Sequence, residues 1–546
     1  MSAPPPAFDP ASRERNLERL REGRFDVLIL GGGINGAGIA RDLGLRARRA
    51  GRNLRIGLVE QRHFASGASG RNSQLLHGGL RYLKNLEIGL VREALGERAV
   101  LRDIAPHLVD ALPFLIPMYG WFASRYYGAG LWLYDLLAGG RNIGRRRYLT
   151  REQLVSAEPD LETAGLTNAA IYFDCRVQAA RFLLENLFDA ARDGVLVANY
   201  AQAGPYRRES DHYVLEVSDA LGGGSFPVRA RKLVDARGPW EPGGSLRLVR
   251  GSHIILPRVN SSDNAIAHFG EDGRILFVIP WGPGNRLSLV GTTDVDHPGG
   301  PDDVRISADE VRYLMRSVRR LFPGRSDLDP IAAYSSLRPL AWTGGSASSA
   351  SREHRIWNNA DGVVRIAGGK YTTYRLMSHE AVDLVTREMA PELTGRSETA
   401  QTPLGGNSKQ RIDELAEESA ALAARHSVET AEVLSLVRAY GIQAPAVLEL
   451  LPGEPAHGLS RVERAMIGFA ARHEMARRLP DLLFVSTYWG YEREWNEETR
   501  MGIGRELGRH LGWSEERIRQ EAELAASIAV LPDECAERGA VLVQEH

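Results

Sequence analysis

The segment GGGINGAGIA at residues 31–40 decides how this chain folds. It follows the short apolar run FDVLIL at residues 25–30 and begins an amphipathic stretch that ends at Gly51, so the pattern predicts a strand, a tight turn and a helix. The run LRIGLVE at residues 54–60 predicts a second strand that ends in an acidic residue. Together these segments predict a βαβ unit with G-x-G-x-x-G at its turn, which is typical of a dinucleotide site.

Each glycine of this pattern has its own structural task. Gly31 permits the tight turn, Gly33 lets the backbone approach a pyrophosphate, and Gly36 lets the helix pack closely on the strand. Amides at the helix N-terminus, around Asn35, donate to the anion, and Glu60 accepts from a ribose hydroxyl. A glycine-rich turn without a ligand is the alternative, but the strand, helix and acid together favour a dinucleotide. NAD and FAD both use this unit, so the cofactor stays open at this point.

Composition narrows the class of protein. A chain of 546 residues exceeds what one core usually serves, so we expect two or three domains. The net charge of -1 gives no support to nucleic-acid binding. The two cysteines, Cys175 and Cys535, lie far apart and favour a reducing compartment. The first ten residues contain no apolar core, so they do not resemble a secretory signal, and we predict a flexible lead-in over residues 1–23.

The remaining chain divides into a β-rich and a helical part. Between residues 200 and 300, the runs Tyr213–Val217, Ile275–Ile279 and Leu287–Val290 predict an antiparallel sheet. We interpret Gly222–Gly224 as a hairpin turn, because no helix or Lys-Ser/Thr follows it. After about residue 405 the apolar residues recur with helical spacing, which predicts a helical C-terminal domain over residues 405–546.

A series of further motifs, in a fixed order, connects the chain to a known family. They are LHGGLRYL at 76–83, RGSHIILP at 250–257, VIPWG at 278–282, GTTD at 291–294, SLRPL at 336–340, GGKYTTYR at 368–375 and RHEMARRL at 472–479. With GGGINGAGIA, they resemble the FAD-dependent glycerol-3-phosphate dehydrogenases. The resemblance runs from about residue 24 into the C-terminal domain. It implies that the cofactor is FAD.

The resemblance implies an α/β fold. A Rossmann-like FAD-binding domain of the glutathione-reductase type carries an antiparallel-sheet substrate domain and a helical C-terminal cap domain. The FAD-dependent region spans residues 24–400. Its FAD-binding domain is discontinuous, at about 24–85, 165–205, 230–245 and 355–400, with the substrate domain in the intervening segments. The implied reaction is oxidation of sn-glycerol 3-phosphate to dihydroxyacetone phosphate by hydride transfer to FAD, with electrons passed to a membrane quinone.

The resemblance also assigns residues to the site. Beyond the glycine pattern, Asn35 and Glu60, it implies FAD contacts from Ser69, Ser73, Gly238, Gly368, Gly369 and Thr372. It implies substrate contacts from Arg81, Tyr82, His253, Arg338, Arg352, Lys370 and Thr373. The resemblance places the phosphate-binding arginines of the family at Arg338 and Arg352, and a guanidinium offers a planar fork suited to a dianion. The catalytic candidates are His77, Arg81, His253, Arg338 and Lys370, and the general base stays open among them.

Three segments depart from the family pattern. GASGRNSQ at residues 67–74 replaces a serine-rich run that usually ends in Lys or Arg. Arg237 occupies the position of a Thr in an Ala-Thr-Gly turn, and LLFVSTYWG at 482–490 lacks a pair of arginines. These departures concern cofactor contacts and acceptor docking rather than the fold.

The segment Tyr119–Tyr148 combines eight aromatic and apolar residues with Arg141 and the run Arg145–Arg147. Aromatic side chains beside a basic cluster suit a lipid interface, so we predict reversible membrane binding without a span. An ordinary domain core with a solvated loop is the alternative. Quinone-linked relatives are peripheral membrane dimers, so the resemblance implies a homodimer on the cytoplasmic membrane.

Other functions have weaker support. His473-Glu474 begins like a zinc-protease helix, but Arg477 stands where the second histidine ligand belongs, so no metal is predicted. An oxidase that uses oxygen is one alternative, although the extra insertion of known oxidases is not found. A non-enzymatic flavoprotein on the same fold is the other, and the retained His77, Arg81, Arg338 and Lys370 disfavour it.

Overall fold

A computed structural model describes residues 8–80, 87–241, 246–270, 273–325, 327–341, 354–493 and 496–536. Its strands are β1 (Arg24–Leu30), β2 (Ile56–Val59), β3 (Leu75–Leu76), β4 (Val109–Tyr119), β5 (Arg147–Thr150), β6 (Leu166–Val177), β7 (Leu196–Ala198), β8 (Ala201–Glu209), β9 (His212–Asp219), β10 (Ser225–Asp235), β11 (Leu246–Pro257), β12 (Ala265–Phe269), β13 (Ile275–Trp281), β14 (Leu287–Gly291), β15 (Val295–Asp296), β16 (Ala332–Ala341), β17 (His354–Asn358) and β18 (Val364–Gly368).

The helices of the first four hundred residues are Pro10–Glu22, Ile34–Arg49, Ile88–Ile104, Gly120–Ala138, Arg151–Ala157, Ala179–Arg192, Ala308–Leu321 and Tyr374–Met389. The C-terminal domain contains Lys409–Glu417, Ser419–His426, Thr430–Tyr440, Ala444–Leu448, Arg461–His473, Leu479–Asp481, Leu482–Ser486, Trp489–Glu492, Glu497–Leu511, Glu515–Ala526 and Asp533–Ala536. Leu482–Ser486 is a π-helical turn. The predicted helical C-terminal domain is confirmed.

The first sheet contains the predicted βαβ unit. Its strands follow the order β17, β18, β10, β1, β2, β7, and the five from β18 to β7 run parallel. The helix Ile34–Arg49 packs beside Ala179–Arg192 and Tyr374–Met389. Burial on both faces of the sheet explains the continuous apolar run 27–30 at the end of β1. The predicted Rossmann-like FAD-binding fold is confirmed.

The second sheet is almost entirely antiparallel. Its order is β15, β11, β14, β13, β12, β4, β6, β3, with β16 paired to β11 and β5 paired to β6. The helix Ala308–Leu321 covers one face through Val311, Leu314 and Val318. The antiparallel pairing predicted for Ile275–Ile279 and Leu287–Val290 is confirmed by the register between β13 and β14.

Two boundaries of the predicted domains are wrong. The run Tyr213–Val217 lies in β9, which belongs to the first sheet because the hairpin turn Gly222–Gly224 returns the chain directly onto β10. Gly223 and Gly224 both have positive φ there, as a tight turn requires. Conversely, β6 lies in the second sheet, although the segment 165–205 was expected in the FAD-binding domain.

The predicted flexible lead-in over residues 1–23 is wrong for residues 8–22. Asp9 caps the helix Pro10–Glu22 by accepting from Ser12 N at 2.6 Å, and Pro10 occupies a first-turn position that tolerates proline. Arg13 forms an ion pair of 2.6 Å with Asp219, and Leu20 is fully buried. Residues 8–22 are therefore ordered and packed on the domain.

Candidate active site

A cavity of about 500 Å³ lies between the two sheets, beyond the carboxyl ends of β1, β2 and β18. Open parallel sheets bind their ligands at this edge. One end is lined by Gly31, Gly33 and Glu60, and the other by His253 and Arg338. The structure therefore brings together segments that lie hundreds of residues apart in the chain.

Backbone geometry at the predicted dinucleotide turn explains its glycines. Gly31 has φ +106°, and a Cβ there would lie 2.7 Å from the carbonyl oxygen of Ala236. A Cβ at Gly36 would lie 2.0 Å from the carbonyl oxygen of Gly31, so Gly36 allows close packing and does not line the cavity. Gly33 and Asn35 do line it, at the N-terminus of the helix Ile34–Arg49.

Glu60 stands at the end of β2 with its carboxylate held by two amides. Gly32 N donates to Oε2 at 2.6 Å and Arg62 N donates to Oε1 at 2.9 Å. Burial raises the pKa of Glu60, while these amides act in the opposite direction. Each oxygen retains a lone pair, so the carboxylate can still accept from a hydroxyl in the cavity.

Both predicted serines of segment 67–74 line the cavity, but they contact different partners. Ser69 Oγ accepts from Ile34 N at 2.9 Å and so lies at the helix N-terminus. Ser73 Oγ lies 2.8 Å from His253 Nε2. Ser73 therefore contacts the catalytic candidate directly, a role that was not predicted from the sequence.

Gly238 and the departure at Arg237 lie on another wall of the cavity. Gly238 has φ +60°, which favours glycine. Arg237 donates to Asp235 through Nε at 2.9 Å and through a terminal nitrogen at 2.5 Å. The arginine at the usual threonine position is therefore neutralised by a carboxylate on the preceding strand.

The turn after β18 supplies further predicted residues. Gly368, Gly369, Lys370 and Thr372 line the cavity, and Thr372 Oγ1 accepts from His77 N at 3.3 Å. Thr373 does not line it. The 3₁₀ turn Tyr371–Thr373 rotates this side chain inward, where it is fully buried and its hydroxyl donates to the carbonyl of Lys370 at 3.4 Å. The structure therefore does not bring Thr373 to the site.

Arg338 presents a fixed guanidinium at the far end of the cavity. It donates to Asp294 Oδ1 at 2.7 Å and to Thr292 Oγ1 at 2.9 Å through its two terminal nitrogens. β16 places Arg338 opposite β11, and a Cβ at Gly251 of that strand would lie 2.3 Å from the guanidinium. Gly251 therefore makes the space in which the arginine lies across the strand.

His253 lies in β11, two residues beyond Gly251, with its ring held on both faces. It stacks on Tyr334 with a centroid distance of 5.1 Å, and a Cβ at Gly291 would lie 2.2 Å from its Cδ2. Burial lowers the pKa of His253 to about 3, assisted by the positive charge of Arg338 and opposed by Asp294. The imidazole is therefore neutral at physiological pH.

The residues predicted from the sequence fall into three groups. The first group, which includes His77 and Lys370, lines the cavity. The second group, Gly36 and Thr373, is described by the structure but does not line the cavity. Arg81, Tyr82 and Arg352 lie outside the described residues. Tyr334 and Asp294 are partners that the sequence did not reveal, although Asp294 stands in the GTTD motif.

The chain matches two sequence profiles. Residues 26–375 match the family described as FAD dependent oxidoreductase, and residues 397–518 match the C-terminal domain of alpha-glycerophosphate oxidase. Glycerol-3-phosphate dehydrogenase 2 of Mycobacterium tuberculosis is 34% identical over 515 residues, which cover 88% of this chain and 83% of the relative. Alpha-glycerophosphate oxidase of Streptococcus pyogenes is 28% identical over 96% of this chain and 98% of the relative.

A solved structure agrees over nearly the whole length. Glycerol-3-phosphate dehydrogenase from Bacillus halodurans complexed with FAD has a TM-score of 0.77 and 25% identity, over 96% of this chain and 99% of that chain. The chain belongs to the family of FAD-dependent glycerol-3-phosphate dehydrogenases and oxidases. Its cofactor is FAD, which resolves the choice that the glycine pattern left open.

The cavity of this flavoprotein has room for a pyrophosphate at the glycine turn. Among the described residues, a Cβ at Gly33 would meet only Ser69 Oγ, at 3.3 Å, so the backbone there is open toward the cavity. The aromatic wall formed by Phe114, Tyr172 and Phe277 lies toward the other end. The donors and glycines that a dinucleotide needs are therefore separated from His253 and Arg338, the residues predicted to contact the substrate.

Proposed function

We propose that this flavoprotein oxidises sn-glycerol 3-phosphate to dihydroxyacetone phosphate and passes the electrons to a membrane quinone. The observation that carries the proposal is the pairing, in one cavity, of a fixed arginine fork with a neutral histidine. A phosphorylated secondary alcohol needs both groups: a cation for its phosphate and a base for its hydroxyl. Relatives that are named for this substrate support the choice.

In this proposal, residues that line the cavity would hold FAD. Gly31, Gly33 and the amides near Asn35 and Ser69 receive the pyrophosphate, and Glu60 accepts from the ribose. Gly238, Gly368, Gly369 and Thr372 line the flavin. FAD supplies the hydride acceptor, which takes the hydride from C2 of the substrate.

Arg338 binds the substrate phosphate. Its guanidinium keeps one edge on Asp294 and Thr292, and this restraint lowers the entropy lost when a phosphate binds. Arg338 lies near His253, because Arg338 is in β16 and His253 is in β11, with which β16 pairs. Lys370, His77 and the predicted Arg81, Tyr82 and Arg352 complete the proposed substrate contacts.

His253 is the proposed general base. The low pKa of its ring keeps it neutral, and binding of a phosphate dianion near Arg338 offsets the positive charge that helps to lower that pKa. The ring therefore becomes a stronger base when the substrate is present. Nε2 is the proposed proton acceptor: Ser73 Oγ, 2.8 Å away, orients the imidazole until the substrate hydroxyl replaces it as the partner of Nε2.

The decisive experiment is anaerobic titration of the purified flavoprotein. We expect glycerol 3-phosphate to bleach the flavin absorbance, and glycerol and lactate to leave it unchanged, because neither carries a phosphate for Arg338. Equal bleaching by lactate would overturn the substrate assignment, and no bleaching by glycerol 3-phosphate would overturn the function.

The exposed helix Gly120–Ala138 supports a membrane acceptor. Trp121 is 66% exposed, Phe122 is 73% exposed and Trp132 is 55% exposed. Such exposure is unusual for large apolar side chains on a surface helix. Arg145 and Arg147 are exposed nearby. This arrangement suits peripheral binding to the cytoplasmic membrane, where a quinone dissolves and a homodimer can assemble. No helix in the described part of the chain combines the length and apolar character needed to cross a bilayer.

Oxygen is the second candidate acceptor, because the Streptococcus pyogenes relative is named an oxidase. Oxygen-electrode traces with and without a soluble quinone analogue distinguish the two. We expect slow oxygen uptake with substrate alone and fast turnover when the quinone analogue is added. Fast oxygen uptake with stoichiometric hydrogen peroxide would support the oxidase instead.

A further inference from the structure

His77 and Gly79 line the cavity. The exposed aromatic helix Gly120–Ala138 contacts the loop His77–Gly79 through Gly78, which does not line it. Most large side chains of the helix Gly120–Ala138 face outward, but Tyr134 is 1% exposed and points inward. Gly78 N donates to the Tyr134 hydroxyl oxygen at 2.9 Å. A surface element is thus hydrogen-bonded to the backbone of a cavity-lining loop.

A buried carboxylate fixes the position of this hydroxyl. Tyr134 donates to Asp174 Oδ1 at 2.7 Å, and Arg98 donates to the same oxygen at 2.6 Å. Gly78 N also lies 3.3 Å from that oxygen. Asp174 and Arg98 are each at most 1% exposed, so these hydrogen bonds are shielded from water and hold their geometry firmly.

Side chains pack closely around Gly78. A Cβ at this position would lie 2.5 Å from the Tyr134 hydroxyl and 2.5 Å from Leu95 Cδ2. Burial raises the pKa of Tyr134 well above its ordinary value, with the charge of Asp174 acting in the same direction, so the phenol stays protonated and remains a donor. The loop is therefore pressed against one oxygen atom whose position is set by an ion pair.

We propose that Tyr134 is a positioning residue: its hydroxyl, held by Asp174 and Arg98, sets the position of the His77–Gly79 loop in the FAD site. The inference rests on the proposed function, because His77 is one of its substrate contacts. It assigns a role in the site to the helix Gly120–Ala138, since a shift of that helix displaces the Gly78 amide. Errors of a fraction of an ångström at such a loop are costly to catalysis.

The test compares Tyr134→Phe with Tyr119→Phe in the FAD-loaded protein. Tyr119 precedes the same helix and donates to the carbonyl of Glu162 at 3.1 Å, so its variant also loses one hydrogen bond but does not touch the loop. For Tyr134→Phe we expect full FAD content, an altered visible circular dichroism of the oxidised flavin and kcat lowered about tenfold, with KM changed by less than about twofold. Tyr119→Phe should match the wild type in all four.

Hydrogen exchange of the peptide containing Gly78 gives a readout that needs neither substrate nor turnover. Exchange should be faster in Tyr134→Phe, because the amide loses its nearest acceptor. Unchanged exchange, dichroism and kcat would overturn the proposal, as would equal changes in both variants. If Tyr134→Phe does not fold, Asp174→Asn decides by the same readouts, and a wild-type-like spectrum and kcat there overturn the proposal. Failure of the proposed function is separate, because it would appear as a wild-type flavin that glycerol 3-phosphate does not bleach.

Discussion

At the scale of single residues, a substitution at Arg338 can test whether substrate binding depends on the positive charge alone or also on the planar shape of the guanidinium. Its two terminal nitrogens contact Asp294 and Thr292, and its side chain lines the cavity. A lysine at this position keeps the charge but offers one nitrogen, so it cannot replace the fork. We expect Arg338→Lys to raise KM for glycerol 3-phosphate about tenfold and to slow flavin reduction by a similar factor in anaerobic stopped flow.

The control is Arg316→Lys, which makes the same change on an exposed position of the helix Ala308–Leu321. It should leave both constants at the wild-type value. Wild-type kinetics in Arg338→Lys would exclude this arginine from phosphate binding.

Gly33 tests the cofactor site. Because a Cβ at Gly33 would meet only a hydroxyl at 3.3 Å among the described residues, the apoprotein should tolerate a side chain there. The pyrophosphate should not, since it needs contact with the backbone. We expect Gly33→Val to purify as a folded, colourless protein, measured by the ratio of flavin to protein absorbance. Gly89→Val, in a helix where a Cβ meets nothing within 4 Å, should remain yellow. A yellow Gly33→Val protein would contradict the placement of FAD.

The glycines of the dinucleotide turn could be predicted because their requirement is local: a positive φ or a missing Cβ within a few residues. The partners of His253 could not. Tyr334 and Gly291 reach the ring through the pairing of β11 with β16 and β14, and no local pattern encodes that register. Thr373 was predicted to contact the substrate but does not line the cavity. It follows Thr372 directly, and the 3₁₀ turn Tyr371–Thr373 points the two side chains in different directions.

At the scale of secondary-structure elements, the exposed helix Gly120–Ala138 should bind lipid together with the basic segment that follows it. We expect the protein to co-sediment with anionic liposomes at low salt and to be released at high salt, because arginine contacts with headgroups are screened. Replacing Arg145, Arg146 and Arg147 with Glu should abolish the low-salt binding. Arg146 also pairs with Asp135 at 2.7 Å, so part of the effect comes from a loosened helix end.

The matched control changes Lys409, Arg411 and Arg425 to Glu on exposed faces of the C-terminal domain. It alters the net charge equally but should bind liposomes like the wild type. If wild type and variant both stay in the supernatant at low salt, the helix is no membrane surface and a soluble acceptor becomes the better hypothesis.

Element boundaries were predictable where the apolar period was strong. The strand β1, its helix and the Gly222–Gly224 hairpin follow from pattern alone. The helix Pro10–Glu22 was missed because its apolar face is narrow and four prolines precede or begin it. Its stability comes from partners such as Asp219, which lies 206 residues away.

At the scale of the whole molecule, a buried histidine lies where the C-terminal domain meets the FAD-binding domain. Asn199 contacts His63 Nδ1 at 3.0 Å, and Asn199 also donates to the carbonyl of Met475. Burial lowers the pKa of His63, while Asp481 and Glu474 raise it and Arg477 lowers it further. The ring is therefore neutral in the folded chain at pH values where it is charged in the unfolded chain.

This difference makes stability depend on pH. Above the unfolded pKa of about 6.5 the ring is neutral in both states, and as pH falls below it the unfolded state gains a proton that the folded state refuses. Between the unfolded pKa and the lower folded pKa, each pH unit costs at most about 1.4 kcal/mol. We expect the melting temperature to fall between pH 7.5 and pH 5.5, a range chosen about the reference pKa, and to fall less in His63→Gln. An identical fall in that variant would exclude His63 as a cause.

The general plan of the molecule was predictable, because motif order and periodicity identified two sheet regions and a helical C-terminal domain. The sheet that contains β6 was not predictable, because β6 pairs with β4, which is not adjacent to it in the chain. The cavity is lined by residues from many segments between Leu30 and Thr372, so its lining required the structure.

The carbonyl of Phe8 has a consequence for how the chain is made. It accepts from Met475 N at 3.1 Å and from Arg477 at 3.0 Å, a contact that joins residues 469 positions apart. A ribosome adding about 5–20 residues per second needs roughly 20–90 s to span that distance. During this interval the first segment has emerged without its last partner. Chains stalled before the C-terminal domain lack this contact, so the backbone at residue 8 should be more accessible to proteases in them than in the folded protein.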